Sequence, residues 1–258
     1  EHSNGRQYSR TLSIAHGNQR LRGWMSVEPI NGKNSLRLTL DPILLPVIAL
    51  VLNRTRRVFD LNCNPEPIQQ QLGELAGPRP GLRLPGAFDG FEMATRAILG
   101  QQVSVKAAHT LAGRIALQFG KPLQTPFEEL RCTFPTAQCL ASLEPEVIKQ
   151  LGIVGKRAST IVGLAQAVAS GQLNLDHSMD IDATIEQLQQ LPGIGPWTAQ
   201  YVAMRALSWP DAFPASDLGL IKSLAMDKPR QLLEHAERWR PWRAYAVMHL
   251  WARLSEDH

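Results

Sequence analysis

The side chains best placed to do chemistry in this sequence lie between Leu188 and Lys222, in LQQLPGIGPWTAQYVAMRALSWPDAFPASDLGLIK. Trp197 and Tyr201 stand four residues apart and so share one helical face. Large aromatic rings just after a glycine-rich turn suit a stacked nucleobase as well as a packed core. Asp217 is the single carboxylate of the following block, PASDLGLIK. It can stabilise positive charge that develops beside it, or cap the helix that begins there with Ser216, since both residue types are good caps.

The element that must position them is Leu191-Pro192-Gly193-Ile194-Gly195, too short and too rich in glycine for a helix or a strand. Ile181, Ile185 and Leu188 precede it at helical spacing, and Ala199, Val202, Ala203 and Ala206 follow it after Pro196, which suits a first helical turn. The pattern predicts helix, hairpin, helix. Both glycines can take positive φ and allow close approach, so amides at the start of the second helix can meet an anion of phosphate size, favoured by the helix dipole. The plainer reading is a packing corner between two core helices.

LPGIGPWTAQY followed about twenty residues later by SDLGLIK resembles the helix-hairpin-helix DNA glycosylase superfamily, most closely its alkylation-repair branch of the 3-methyladenine DNA glycosylase II type. FDLNCNP at 59–65, RPGLRLPGAFDGFE at 79–92, RAILGQQVSV at 96–105 and ERWRPWRAYAVMHLW at 237–251 extend the likeness over nearly the whole chain. The resemblance implies an α+β protein: a small N-terminal antiparallel sheet with helices, TBP-like, over residues 1–80, then an all-helical glycosylase bundle over 81–258. It implies double-stranded damaged DNA as partner and hydrolysis of the glycosidic bond of alkylated bases, 3-methyladenine and 7-methylguanine among them.

The same resemblance assigns roles. Asp217 is the catalytic carboxylate, and Trp251 joins Trp197 and Tyr201 in the base pocket. Gly193, Ile194, Gly195 and Thr198 grip a backbone phosphate, and the main-chain carbonyls of Gln189, Leu191 and Gly193 hold a monovalent cation, Na or K, that bridges to it. Gln101 and Gln102 reach the minor groove, where a side chain replaces the extruded base. Read alone, the two glutamines are solvated loop residues. Members that also cut the strand carry a Schiff-base lysine two residues after the second hairpin glycine. Trp197 stands there, which predicts a monofunctional hydrolase that leaves an abasic site and needs no cofactor for its chemistry.

Composition agrees without deciding. The 258 residues are 44 % hydrophobic and 19 % charged with a formal charge of +4, the values of an ordinary soluble globular protein with a slight leaning toward polyanions. The longest apolar run, Ile43 to Leu52, is interrupted by Pro46 and too short to span a bilayer. Three scattered cysteines, Cys63, Cys132 and Cys139, suit a reducing, cytoplasmic setting, and no four-cysteine cluster loop is expected after the last helix. A monomer is expected, as part of a longer polypeptide, since the chain opens on Glu1 and relatives carry a further N-terminal stretch. Two rival readings are a glycosylase for another damaged purine and a non-enzymatic DNA-binding module.

Along the chain, alternation from Tyr8 to Leu40, with turns at His16-Gly17 and Asn31-Gly32, predicts the sheet. Asp41-Pro42 opens a helix through about Leu52, with Arg54, Arg56 and Arg57 at its end either compensating the dipole or touching DNA. Asn64-Pro65 is a second cap, and Pro78 to Gly81 breaks the pattern. Helices follow over 88–99, 104–119, 145–151, 156–169, the hairpin pair, 216–225, from 229, and 241–254. Leu151 to Ala158 echoes the hairpin, as an interhelical turn or a second phosphate contact. Trp239 and Trp242 are assigned to packing.

Overall fold

A computed structural model describes residues 1–176 and 180–254. The C-terminal tail 255–258 lies outside the described residues.

Four strands, β1 (His2–Ser3), β2 (Tyr8–His16), β3 (Gln19–Pro29) and β4 (Leu36–Leu40), form one antiparallel sheet in the order β1-β2-β3-β4. The β2–β3 hairpin closes on Gly17 at φ +56°, with His16 opposite Gln19, and the β3–β4 turn uses Gly32 at φ +72°. Alternation does what the sequence predicts. Leu12, Ile14, Leu21 and Met25 face a 3-10 turn (Pro42–Val47) and helix α1 (Ile48–Val58), closing a core with Leu44, Val51 and Val58. Thr11, on the other face, donates to the Cys132 carbonyl at 2.8 Å, and Trp24 meets Phe127 edge-on. Asp41 caps the 3-10 turn, whose close pass requires Gly23: a Cβ there would lie 2.9 Å from Asp41 and 3.0 Å from Leu44.

The helix expected to end near Leu52 continues to Val58, because Thr55 and Val58 still face the sheet core. Its arginines are not confined to dipole compensation. Arg54 pairs with Asp176 at 3.0 Å, and Arg57 donates to the Ala87 and Asp176 carbonyls, fastening the sheet unit to the helical one.

The helical part comprises α2 (Pro65–Leu72), capped by Asn64, then α3 (Gly90–Leu99), α4 (Val105–Phe119), α5 (Ala137–Ala141), α6 (Pro145–Lys149), α7 (Lys156–Ala169), α8 (Ile181–Gln190), α9 (Pro196–Arg205), α10 (Leu218–Ser223), α11 (Pro229–Ala236) and α12 (Arg243–Leu254). The short α5 has no period to betray it in the sequence. Asp89, Ser104 and Asp180 each accept a first-turn amide, which starts α3 two residues later than the hydrophobic pattern suggests. Leu164, Leu188, Val202 and Leu220 sit in one continuous core with Trp239, while Trp242 packs against its edge. The two units also meet through a buried ion pair, Arg10 to Glu92 at 2.7 Å, with Arg96 on the other Glu92 oxygen at 2.8 Å. Burial pushes the Glu92 carboxyl up, but the two guanidinium groups outweigh it and hold it below the usual range. Among the described residues, no helix is long and apolar enough to cross a membrane.

Candidate active site

The hairpin is built as a tight turn. Ile194 is buried, and its amide donates to the Leu191 carbonyl at 3.0 Å. Gly193 has φ +94°, and a Cβ on it would fall 2.0 Å from Thr160 Oγ1, so glycine is required there twice over. Thr160 reaches from α7 to donate to the Pro192 carbonyl at 2.8 Å. Gly195 differs from the sequence expectation: its φ is −89°, and it serves as the N-cap of α9 without any side-chain cap. Open space surrounds its Cβ position. Pro196 has no amide to give, so the remaining first-turn amides of α9 face outward unpaired within the helix, and an anion can take them.

Gln101 does more than fill a loop. Its Nε2 donates to the Gly193 carbonyl and to Thr198 Oγ1, each at 3.0 Å, locking the α3–α4 loop onto the hairpin. Thr198 is buried, so its side chain serves this lock, and Ile194 likewise points inward. What either residue offers outward is backbone. Gln102, next in sequence, is exposed at φ +56°, a left-handed conformation that a non-glycine residue adopts at a cost of about 1–3 kcal/mol. The echo at Leu151 to Ala158 is an interhelical turn: Arg114 donates to the Leu151 carbonyl and Arg157 to that of Leu99, at the foot of the same loop.

Asp217 caps α10, its Oδ1 accepting from the Leu220 amide at 2.9 Å. Capping does not exclude the other role. The same carboxylate accepts from Trp197 Nε1 at 2.8 Å on Oδ2 and from Trp251 Nε1 at 3.3 Å on Oδ1. Trp197 stacks on Tyr201 with centroids 5.1 Å apart and planes 8° from parallel, while Tyr201 and Trp251 sit 6.2 Å apart at 47°. The structure thus brings together Asp217 at the start of α10, Trp197 and Tyr201 on α9, and Trp251 on α12.

Several supporting residues went unread in the sequence. Gln200 Oε1 accepts from the Phe213 amide at 2.9 Å, holding the loop that carries Asp217 against α9. Buried Arg243 makes a two-pronged contact with Asp211, at 2.8 and 2.9 Å, and the Ala244 amide donates to the Pro210 carbonyl. The same loop is thereby pinned to the helix that bears Trp251. Gly219 lies under the carboxylate, where a Cβ would stand 3.0 Å from Asp217 Oδ1. Arg205, one turn beyond Tyr201, donates to its hydroxyl at 3.3 Å. The repeat of four through Trp197, Tyr201 and Arg205 was the available signal for that last one.

Leu191 and Gly193 carbonyls each accept one hydrogen bond, from Ile194 and Gln101, and keep a second lone pair. Both can therefore accept a further partner, as the cation expected on them together with the Gln189 carbonyl would require.

Comparison with known proteins agrees with this architecture. A model of the AlkA N-terminal domain matches residues 1–89, and a model of the HhH-GPD superfamily of base excision DNA repair proteins matches residues 95–238. DNA-3-methyladenine glycosylase 2 of Escherichia coli is 41 % identical over 244 residues, 95 % of this chain and 84 % of that protein. A probable bifunctional transcriptional activator/DNA repair enzyme AlkA of Mycobacterium tuberculosis is also 41 % identical, and this chain spans only 50 % of its length. In fold, the 3-methyladenine DNA-glycosylase of Archaeoglobus fulgidus matches with a TM-score of 0.78 at 21 % identity, over 96 % of this chain and 86 % of that one. An 8-oxoguanine glycosylase/lyase of Clostridium acetobutylicum, solved with double-stranded DNA, gives 0.74 at 17 %, over 95 % and 88 %. With an uncapped hairpin helix, a carboxylate between two indoles and these relatives, the chain belongs to the HhH-GPD superfamily of base excision DNA repair proteins and carries an AlkA-type N-terminal domain.

Proposed function

We propose that this chain is a monofunctional DNA glycosylase that hydrolyses the N-glycosidic bond of alkylated purines, 3-methyladenine and 7-methylguanine among them, in double-stranded DNA. It acts as a monomer and leaves an abasic site. The observation that carries the reading is the Asp217 carboxylate held by the indole N–H groups of both Trp197 and Trp251.

A glycosidic bond inside the duplex is out of reach, and turning the nucleotide out costs a few kcal/mol. The α9 amides grip a phosphate without reading sequence, while Gln102 occupies the vacated stack. A monovalent cation on the carbonyls of Gln189, Leu191 and Gly193 would neutralise part of that phosphate's charge. Alkylation leaves the purine cationic, and the electron-rich faces of the aromatic cluster favour it by about 0.5–2 kcal/mol per ring.

As the C1′–N bond breaks, its electron pair neutralises the base and positive charge passes to the sugar. Asp217 sits where an ionised carboxylate stabilises that charge more than it stabilises the substrate. Water then adds to C1′ and loses a proton to the carboxylate or to solvent. With Trp197 where a Schiff-base amine would stand, no strand cleavage follows.

The test is release of free bases from methylated duplex DNA by wild type and Asp217→Asn, with DNA affinity measured alongside. Release by wild type, its loss in the variant and equal affinity support the assignment. Equal release by both would end the role of Asp217, and no release by either would leave a DNA-binding module.

A further inference from the structure

Arg205 ends α9 on the stripe that carries Trp197 and Tyr201. Its Nε donates to the Pro85 carbonyl at 2.6 Å, its Nη1 donates to the Tyr201 hydroxyl at 3.3 Å, and its guanidinium carbon lies 5.7 Å from the centre of the Tyr201 ring. We propose that Arg205 is a positioning residue that sets the balance between neutral and cationic purines, by presenting the Tyr201 hydroxyl to the extruded base as a hydrogen-bond donor. This rests on the glycosylase reading above.

The chemistry follows from what a guanidinium is. It only donates, so the tyrosine oxygen accepts from it and the hydroxyl proton must point elsewhere. Among the described residues that proton has no acceptor. A half-buried donor is therefore left over at the edge of an aromatic site, matched to a ring nitrogen or carbonyl oxygen of a purine.

The donor matters unequally. When a neutral purine departs, the electron pair of the breaking bond puts negative charge on its nitrogens and oxygens, and a donor there stabilises the transition state. When an alkylated purine departs, the same pair cancels a charge already present and a donor adds little. The guanidinium charge acts in the same direction. No carboxylate pairs with Arg205 among the described residues, so its charge opposes a cationic base beside Tyr201 and does not oppose a neutral one. Both effects shift the site toward neutral purines, against the pull of the rings.

Arg205 also lines a cavity of about 710 Å³ between the sheet and the helices, so a flexible replacement has room. The experiment compares single-turnover release of hypoxanthine and of 7-methylguanine from otherwise identical duplexes. In Arg205→Met the ratio of hypoxanthine to 7-methylguanine release is expected to fall about tenfold, the effect of one lost hydrogen bond to developing charge. Arg205→Lys, which keeps a charge and a donor, recovers most of the ratio. Tyr201→Phe lowers the ratio as well, and the double variant falls short of the product of the two single effects, because the hydroxyl carries part of each while the guanidinium charge acts without it. A parallel fall in both rates would make Arg205 merely structural, and an unchanged ratio, or 7-methylguanine release without any hypoxanthine release by wild type, would overturn the proposal. Release of neither base by wild type would instead remove the glycosylase reading itself.

Discussion

Trp197 Nε1 lies 2.8 Å from Asp217 Oδ2, so a side chain expected to serve as a stacking plate also holds the carboxylate in place. Trp197→Phe keeps an aromatic ring and removes the donor. A hydrogen bond to a charged group contributes about 1.5–3 kcal/mol. Single-turnover base release is expected to fall about tenfold or more with affinity for damaged duplex little changed. A loss confined to affinity would show that the ring, not the N–H, is what the site uses.

Gly219 predicts a steric route to the same carboxylate. In Gly219→Ala the new methyl meets Asp217 Oδ1 and Leu254 Cδ1, both at 3.0 Å, and either Asp217 or the end of α12 must shift. Release should drop several-fold with a fall in stability of about 0–2 kcal/mol, an overpacking cost of about 1–3 kcal/mol offset by about 1 kcal/mol from the better helix propensity of alanine. Wild-type release by this variant would show that the carboxylate tolerates displacement.

Gln102 separates wedge from fold. Gln102→Gly relieves the left-handed backbone and removes the side chain, so thermal stability should stay level or rise slightly. Base release from a paired duplex should fall, while release from a mismatched or single-stranded site, where extrusion costs less, should fall less. Equal losses on both substrates would deny Gln102 a part in extrusion.

Glu92 anchors the sheet unit to the helices. Glu92→Gln removes the nearer of the two carboxylates shared by Arg10 and Arg96, leaving Glu1 at 3.9 and 3.6 Å, and is expected to cost about 3 kcal/mol in denaturant unfolding, the low end for a broken buried pair. Because the folded carboxyl is held below its ordinary value of 4.5, its contribution is fully present above that pH and lost as pH falls through the lower folded value. Wild type should therefore lose stability on acidification more steeply than the variant. Parallel acid limbs would remove Glu92 from the account.

Much of this was legible in the sequence, for physical reasons that differ by element. The β2–β3 and β3–β4 hairpins announce themselves through period-two alternation and glycine turns, and α9 through proline after an uncapped glycine. Ser104, Gly120 and Gly171 mark helix ends because caps are local chemistry. What stayed hidden depends on partners remote in the chain. Asp211 with Arg243, Gln200 with the Phe213 amide and Arg205 with Pro85 are contacts that no local pattern encodes. Gly219 looks like any small helical residue until Asp217 is folded over it. Resemblance supplied Trp251, which spacing alone would have left among the packing tryptophans.

The lock made by Gln101 between the Gly193 carbonyl and Thr198 has a mechanical result. The hairpin and the loop that carries Gln102 are thereby tied together, so under the proposed function the phosphate clamp and the probing side chain would move as one unit and the span between them would act as a fixed gauge. A duplex pressed onto the hairpin would then be interrogated at one set distance from the gripped phosphate, and each step of a search would repeat the same measurement.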